Sequence, residues 1–149
     1  MTTYKTFLVT GLLLSILACN NAETKKATST QNVSVTDSLN LGIELNAGQK
    51  WKVNEQMRPF IITSEQLLID FQKDANGDYK ILATELKENN NKLIASCTMK
   101  GESHDALHLW LHPHLELVSE LQKSSTSEDA VVIIDKLNRS FQTFGNYFQ

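Results

Sequence analysis

The stretch SHDALHLWLHPHLELVSELQK, residues 103–123, decides the fold. Leu107, Leu111, Leu115 and Val118 recur at steps of three and four, the spacing that lines up one face of an α-helix. Ser103 stands where a helix cap belongs. Pro113 lies inside the stretch and is expected to bend it. No alternation of period two competes with this pattern from residue 54 onward.

The helical period continues on both sides. Met57, Phe60, Ile61, Leu67, Leu68 and Phe71 predict a helix over 54–73, with Asn54 as its cap and Pro59 as a kink in its first turns. Ala75-Asn76-Gly77-Asp78 is a turn signal. Tyr79, Leu82, Leu86, Leu93 and Cys97 predict a second helix over 78–97, which Lys100-Gly101-Glu102 ends. The stretch 103–123 is the third. Ile133, Leu137, Phe141, Phe144 and Phe148 predict a fourth, opening at Thr126 or Ser127 and running to Phe148. Four helices of about twenty residues with short loops make an all-α domain, an antiparallel up-down-up-down four-helix bundle. It occupies 49–149, about one hundred residues, enough for one modest core.

The chain before the bundle reads differently. Residues 19–48 are rich in Asn, Thr, Ser and Lys and poor in aromatics, the composition of a flexible tether. Only 33–45 carries enough apolar content to pack locally. Upstream, Lys5 precedes an apolar run from Phe7 to Leu17, too short to span a bilayer and of the length of a signal-peptide core. The run ends in Ile16-Leu17-Ala18-Cys19, which resembles the lipobox of bacterial lipoproteins. That resemblance implies a signal peptide over 1–18, cleavage after Ala18 and lipidation of Cys19. Each acyl chain then anchors at about 0.8 kcal/mol per buried CH₂. The expected location is the bacterial cell envelope, lipid-anchored to the inner or outer membrane.

The chain has two cysteines. With Cys19 lipidated, Cys97 has no intramolecular disulfide partner, and a lone thiol in an exported protein calls for a role. The formal net charge is −3, and losing Lys5 with the signal makes the mature chain more acidic. There is no basic patch, so nucleic acid is not an expected partner.

All four histidines fall within 104–114. Counting about 100° per residue from His104, His108 sits near 40°, close to Leu111, Leu115 and Val118, so His104 and His108 are placed on the core stripe. His112 and His114 flank it and are expected to face partly to solvent. Trp110 falls off the stripe, and Leu109 is expected to be exposed. Two histidines at i and i+4 can share a metal. In an antiparallel bundle Cys97, Met99 and Met57 belong to the same end as His104 and His108, with Phe144, Phe148 and Trp51 closing that end. Thiolate, thioether and imidazole in an apolar shell suit Cu(I), and less specifically Zn(II). Singly, each of these residues is ordinary core packing; together, Cys97, Met99, His104, His108 and Met57 form a candidate metal site. No carboxylates are paired for a di-iron or calcium site.

Lys50-Trp51-Lys52-Val53-Asn54-Glu55-Gln56-Met57 and the run from Cys97 to His108 resemble a family of small, uncharacterised bacterial lipoproteins with a C-terminal helical-bundle domain. The resemblance covers most of 45–148 and implies the helical bundle. A looser resemblance is to the four-helix-bundle b-type cytochromes, which hold haem between a Met of the first helix and a His of the last. Met57 takes the Met position, whereas the histidines here lie on the third helix. Haem b is the alternative cofactor this implies; without Cys-x-x-Cys-His, covalent haem is excluded.

The chain has no nucleophile with a base at motif spacing and no Gly-rich phosphate loop. The expectation is a non-enzymatic metal-binding lipoprotein, a copper buffer, chaperone or sensor. The competing expectation is a structural or protein-interaction module, marked by an exposed apolar patch around Leu109, Trp110 or Leu117.

Overall fold

The computed structural model describes residues 41–149. The expected signal peptide over 1–18, the expected lipidation site Cys19 and the expected tether as far as residue 40 lie outside the described residues. The described chain is all-helical: α1 (Arg58–Lys73), α2 (Tyr79–Ala95), α3 (Glu102–Lys123) and α4 (Ser127–Tyr147). They form a four-helix bundle in which each helix packs on its sequence neighbours and α1 touches α4 more lightly. Among the described residues no helix is long and apolar enough to cross a membrane.

Local chemistry sets the helix ends. Asp78 caps α2, its carboxylate accepting from Lys80 N at 2.8 Å, and Thr126 caps α4 by accepting from Asp129 N at 3.1 Å. The α1–α2 turn closes through Asn76 N donating to Asp74 Oδ1 and Gly77 N to Asp74 O. A side chain at Gly77 would meet the Phe71 ring at 2.8 Å, so the turn needs glycine there. Gly101 precedes α3 at φ 66°, which a residue with a Cβ rarely adopts.

The first helix begins later than its apolar pattern predicts. Pro59 sits in the first turn of α1, where its missing N–H costs nothing, and opens the helix instead of kinking it. Asn54, expected to cap it, has another task. Its Nδ2 donates to Ser96 O at 3.0 Å and its Oδ1 accepts from Thr98 N at 3.2 Å. One side chain thus fixes the approach to α1 against the α2–α3 loop. α3 runs through Pro113 as one helix; the carbonyl left without its helical donor is that of Leu109, whose residue is exposed to water.

The core holds Met57, Leu86, Leu107, Leu121 and Leu137 at zero exposure, with Leu68, Leu93 and Phe148 close to it. Each such side chain contributes about 1.5–3 kcal/mol by leaving water. The segment before α1 is stitched to the end of the chain: Trp51 N donates to Tyr147 O at 2.8 Å, Gln149 N to Trp51 O at 2.9 Å and Val53 N to Gln149 O at 3.0 Å. This lid carries Val53 and Phe148 into the core. Ile43, upstream of residue 49, is buried with them.

One face is rotated from its expected position. The buried residues of α3 are Ala106, Leu107, Trp110, Leu111, His114, Leu117, Val118 and Leu121. On the same helical wheel they centre near 270°, about a quarter-turn from His104. Trp110 and His114 therefore belong to the core, and His104 and His108 lie off it. The cause is Trp110. Its large ring is worth more buried than any other side chain of the helix, and its indole N–H finds a partner inside, Ser140 O at 2.8 Å.

Candidate metal centre

The four histidines of α3 divide into one buried residue and a row of three. His104, His108 and His112 succeed each other at i, i+4 and i+8, so each stands one turn above the last. His108 Nε2 lies 3.1 Å from His104 Nε2, and His108 Nδ1 lies 2.8 Å from His112 Nε2. The ring centroids are 4.3 and 5.0 Å apart. His104 and His108 are half-buried and His112 is exposed. The row borders the core on one side and water on the other.

Asp105 stands behind the first ring of the row. Its Oδ1 lies 3.7 Å from His104 Nδ1, too far for a hydrogen bond. A carboxylate behind a histidine is the usual orienting partner of a metal-binding imidazole. Partial burial, then repulsion from His104 and His112, keep the His108 ring below the ordinary histidine pKa, with Asp105 acting the other way. Those effects favour the neutral imidazole, the form that ligates metal.

The spacing suits a shared ion. Two nitrogens bonded to one metal at about 2.0–2.1 Å, at angles of about 90° to 109°, are about 2.9–3.3 Å apart. His104 Nε2 and His108 Nε2 fall inside that range, and His108 Nδ1 and His112 Nε2 just below it. Among the described residues no three His, Cys, Asp or Glu side chains group to hold a single ion. The available unit is the pair.

The sulfur residues of the expected site differ in burial. Met57 is fully buried in the hydrophobic core. Cys97 and Met99 are half-buried in the α2–α3 loop, packed against the core, and Cys97 is a free thiol. Cys97 does not enter a three-ligand group with His104 and His108. The residue that joins the site unexpectedly is His112. Its signal was in the sequence: it continues the four-residue step of His104 and His108.

His114, expected to flank the core stripe, is 1 % exposed. Its Nδ1 is 3.0 Å from Ser140 Oγ, its ring stacks on Trp110 at 4.8 Å, and the Phe141 ring meets it edge-on at 4.9 Å. Its Nε2 is buried without a partner. Burial pushes its pKa down to about 4, so at neutral pH it is an uncharged core residue. Of the three residues expected to form an apolar contact patch, Trp110 and Leu117 are buried and Leu109 alone is exposed.

Comparison with protein families, with curated proteins and with solved structures gives no match. The site is read from its own chemistry.

Proposed function

We propose that this chain is a non-enzymatic, lipid-anchored metal-binding protein of the bacterial cell envelope, acting as a metal buffer, chaperone or sensor. The observation that carries the reading is the pair of imidazole nitrogens of His104 and His108, 3.1 Å apart on successive turns of α3. The anchor rests on Cys19 and its lipobox. Imidazole ligands open to water suit a borderline divalent ion, and Cu(II) binds such sites more tightly than Zn(II). Cu(I) calls for sulfur as well; Cys97 and Met99 are half-buried against the core in the loop that precedes α3, and Cys97 forms no three-ligand group with the histidines, so the reading favours Cu(II).

The test is metal analysis and calorimetric titration of the full chain in detergent, with Cu(II), Zn(II) and, under reductant, Cu(I). Wild type is expected to take up copper and to lose most of its affinity in His108→Ala. Cys97→Ala is expected to keep the Cu(II) affinity of wild type. Failure of the wild type to bind any of the three ions overturns the reading. It would leave a protein-interaction module, whose first candidate surface is the groove of about 230 Å³ between α1 and α4 lined by Ile61, Phe141, Phe144 and Phe148.

A further inference from the structure

His108 turns a different nitrogen to each neighbour. Nε2 faces His104 and Nδ1 faces His112, at 3.1 and 2.8 Å. A ligand set meant for one ion would point its nitrogens at one place, and no group of three does so among the described residues. A row with its central ring shared outward in both directions offers two places instead. From the row we infer that His108 bridges two divalent metal ions, one held with His104 and the other with His112. This rests on the metal-binding function proposed above and specifies its stoichiometry and chemistry.

The chemistry balances without an oxidant or reductant. Neutral His108 carries one ring proton. A first Cu(II) binds between His104 and His108 through their Nε2 atoms, and the His108 proton resides on Nδ1. A second Cu(II) takes Nδ1 and displaces that proton to solvent, leaving a bridging imidazolate. His112 binds through Nε2 with its own proton on Nδ1. One proton is released for the two ions bound, and no electron moves. With bonds of about 2.0 Å to nitrogens on opposite sides of one five-membered ring, the ions stand about 6 Å apart. The imidazolate charge between them offsets their mutual repulsion. Opening each nitrogen pair from hydrogen bond to chelate takes only a ring rotation, which exposed His112 and half-exposed His104 can make. The remaining coordination positions face water.

The second site differs from the first in its surroundings. His104 has Asp105 behind it, 3.7 Å away, and is partly covered. His112 stands exposed, next to Pro113. The His104 place is therefore expected to fill first and the His112 place second.

The experiment is a titration of the full chain in detergent with copper(II) sulfate, followed by electron paramagnetic resonance. The expected result is an isolated Cu(II) spectrum at one equivalent. At two equivalents that signal shrinks and a half-field transition appears, because imidazolate couples the two spins. His112→Ala is expected to bind one copper and keep the isolated spectrum at every ratio. His108→Ala is expected to lose both ions. All three histidines border solvent, so circular dichroism of the variants should match wild type. A single copper per wild-type chain overturns the bridge and leaves the proposed function standing. Two coppers with full uncoupled intensity, or two retained in His112→Ala, also overturn it. No copper at all overturns the function along with the bridge.

Discussion

Two histidines of α3, His112 and His114, are separated by one proline and live in opposite surroundings. His112 is exposed and continues a row of imidazoles. His114 is buried, bonded to Ser140 and wedged between Trp110 and Phe141. Two residues of helix turn a side chain through about 200°, so neighbours in sequence become core and surface. What separates structure from function here is angular position relative to Trp110, not residue type. The buried histidine is held by the protein; the row of three borders water.

Removing each ring in turn is the sharpest way to break that comparison. His114→Ala deletes a packed ring and leaves Ser140 Oγ without its partner, and is expected to cost about 3–4 kcal/mol. His112→Ala is expected to stay within about 0.5 kcal/mol of wild type. Urea unfolding of both variants decides it. Equal stabilities would mean that His114 does not belong to the core.

Acid is expected to act on the same difference with a slightly smaller effect. An unfolded chain binds a proton at His114 below about pH 6.5, whereas the folded chain binds one only near its lowered value of about 4. The contribution of neutral His114 is therefore complete above pH 6.5 and declines as pH falls toward 4, by about 3 kcal/mol in all. Denaturant midpoints at pH 7 and pH 4, taken for wild type and for His114→Gln, isolate this group from the carboxylates. Wild type should lose more stability than the variant. An identical loss in both would show that His114 titrates as an ordinary exposed histidine.

Much of the fold was legible before any coordinates. The leucine periods, the turn at 75–78 and the cap at Thr126 follow from local rules, and α2 and α4 stand close to where those rules put them; Ser103 lies inside α3, which opens after Gly101. The first turn of α1 was less legible because Asn54 has two possible uses, helix cap and loop clamp, and only tertiary contact with Ser96 and Thr98 selects one. The face of α3 departs from its expected position for a related reason. Leu107, Leu111, Leu115 and Val118 tolerate a rotation of the stripe, and His104 and His108 were counted into it. Counting Ala106, Trp110, Leu117 and Leu121 as well would have moved the stripe to its observed place. The adjacency of His104 and His108 was legible from i and i+4 alone. That His112 extends it depended on seeing which histidines are left outside the core.

Asn54 offers a smaller perturbation at a distance from both kinds of histidine. Asn54→Ala removes two hydrogen bonds that tie the approach to α1 to the α2–α3 loop, and is expected to cost about 1–2 kcal/mol. It should leave copper uptake unchanged, because the row lies on α3 itself. Reduced uptake would mean that the loop carrying Cys97 and Met99 takes part in holding the ion.

The smallest effects are expected in the metal-free row, and they carry the most information. His104→Ala, His108→Ala and His112→Ala should each lie within about 0.5 kcal/mol of wild type without metal, since exposed and half-exposed rings bonded mainly to one another contribute little. Added copper should then separate them. An ion that binds only the folded chain stabilises it by about 2.7 kcal/mol at one hundred times its dissociation constant. Wild type should gain that in a melting experiment, His112→Ala somewhat less, and His108→Ala almost nothing. Copper raising the melting temperature of His108→Ala as much as that of wild type would place the ion elsewhere on the chain. Large losses in the metal-free variants would make the row a packing element like His114.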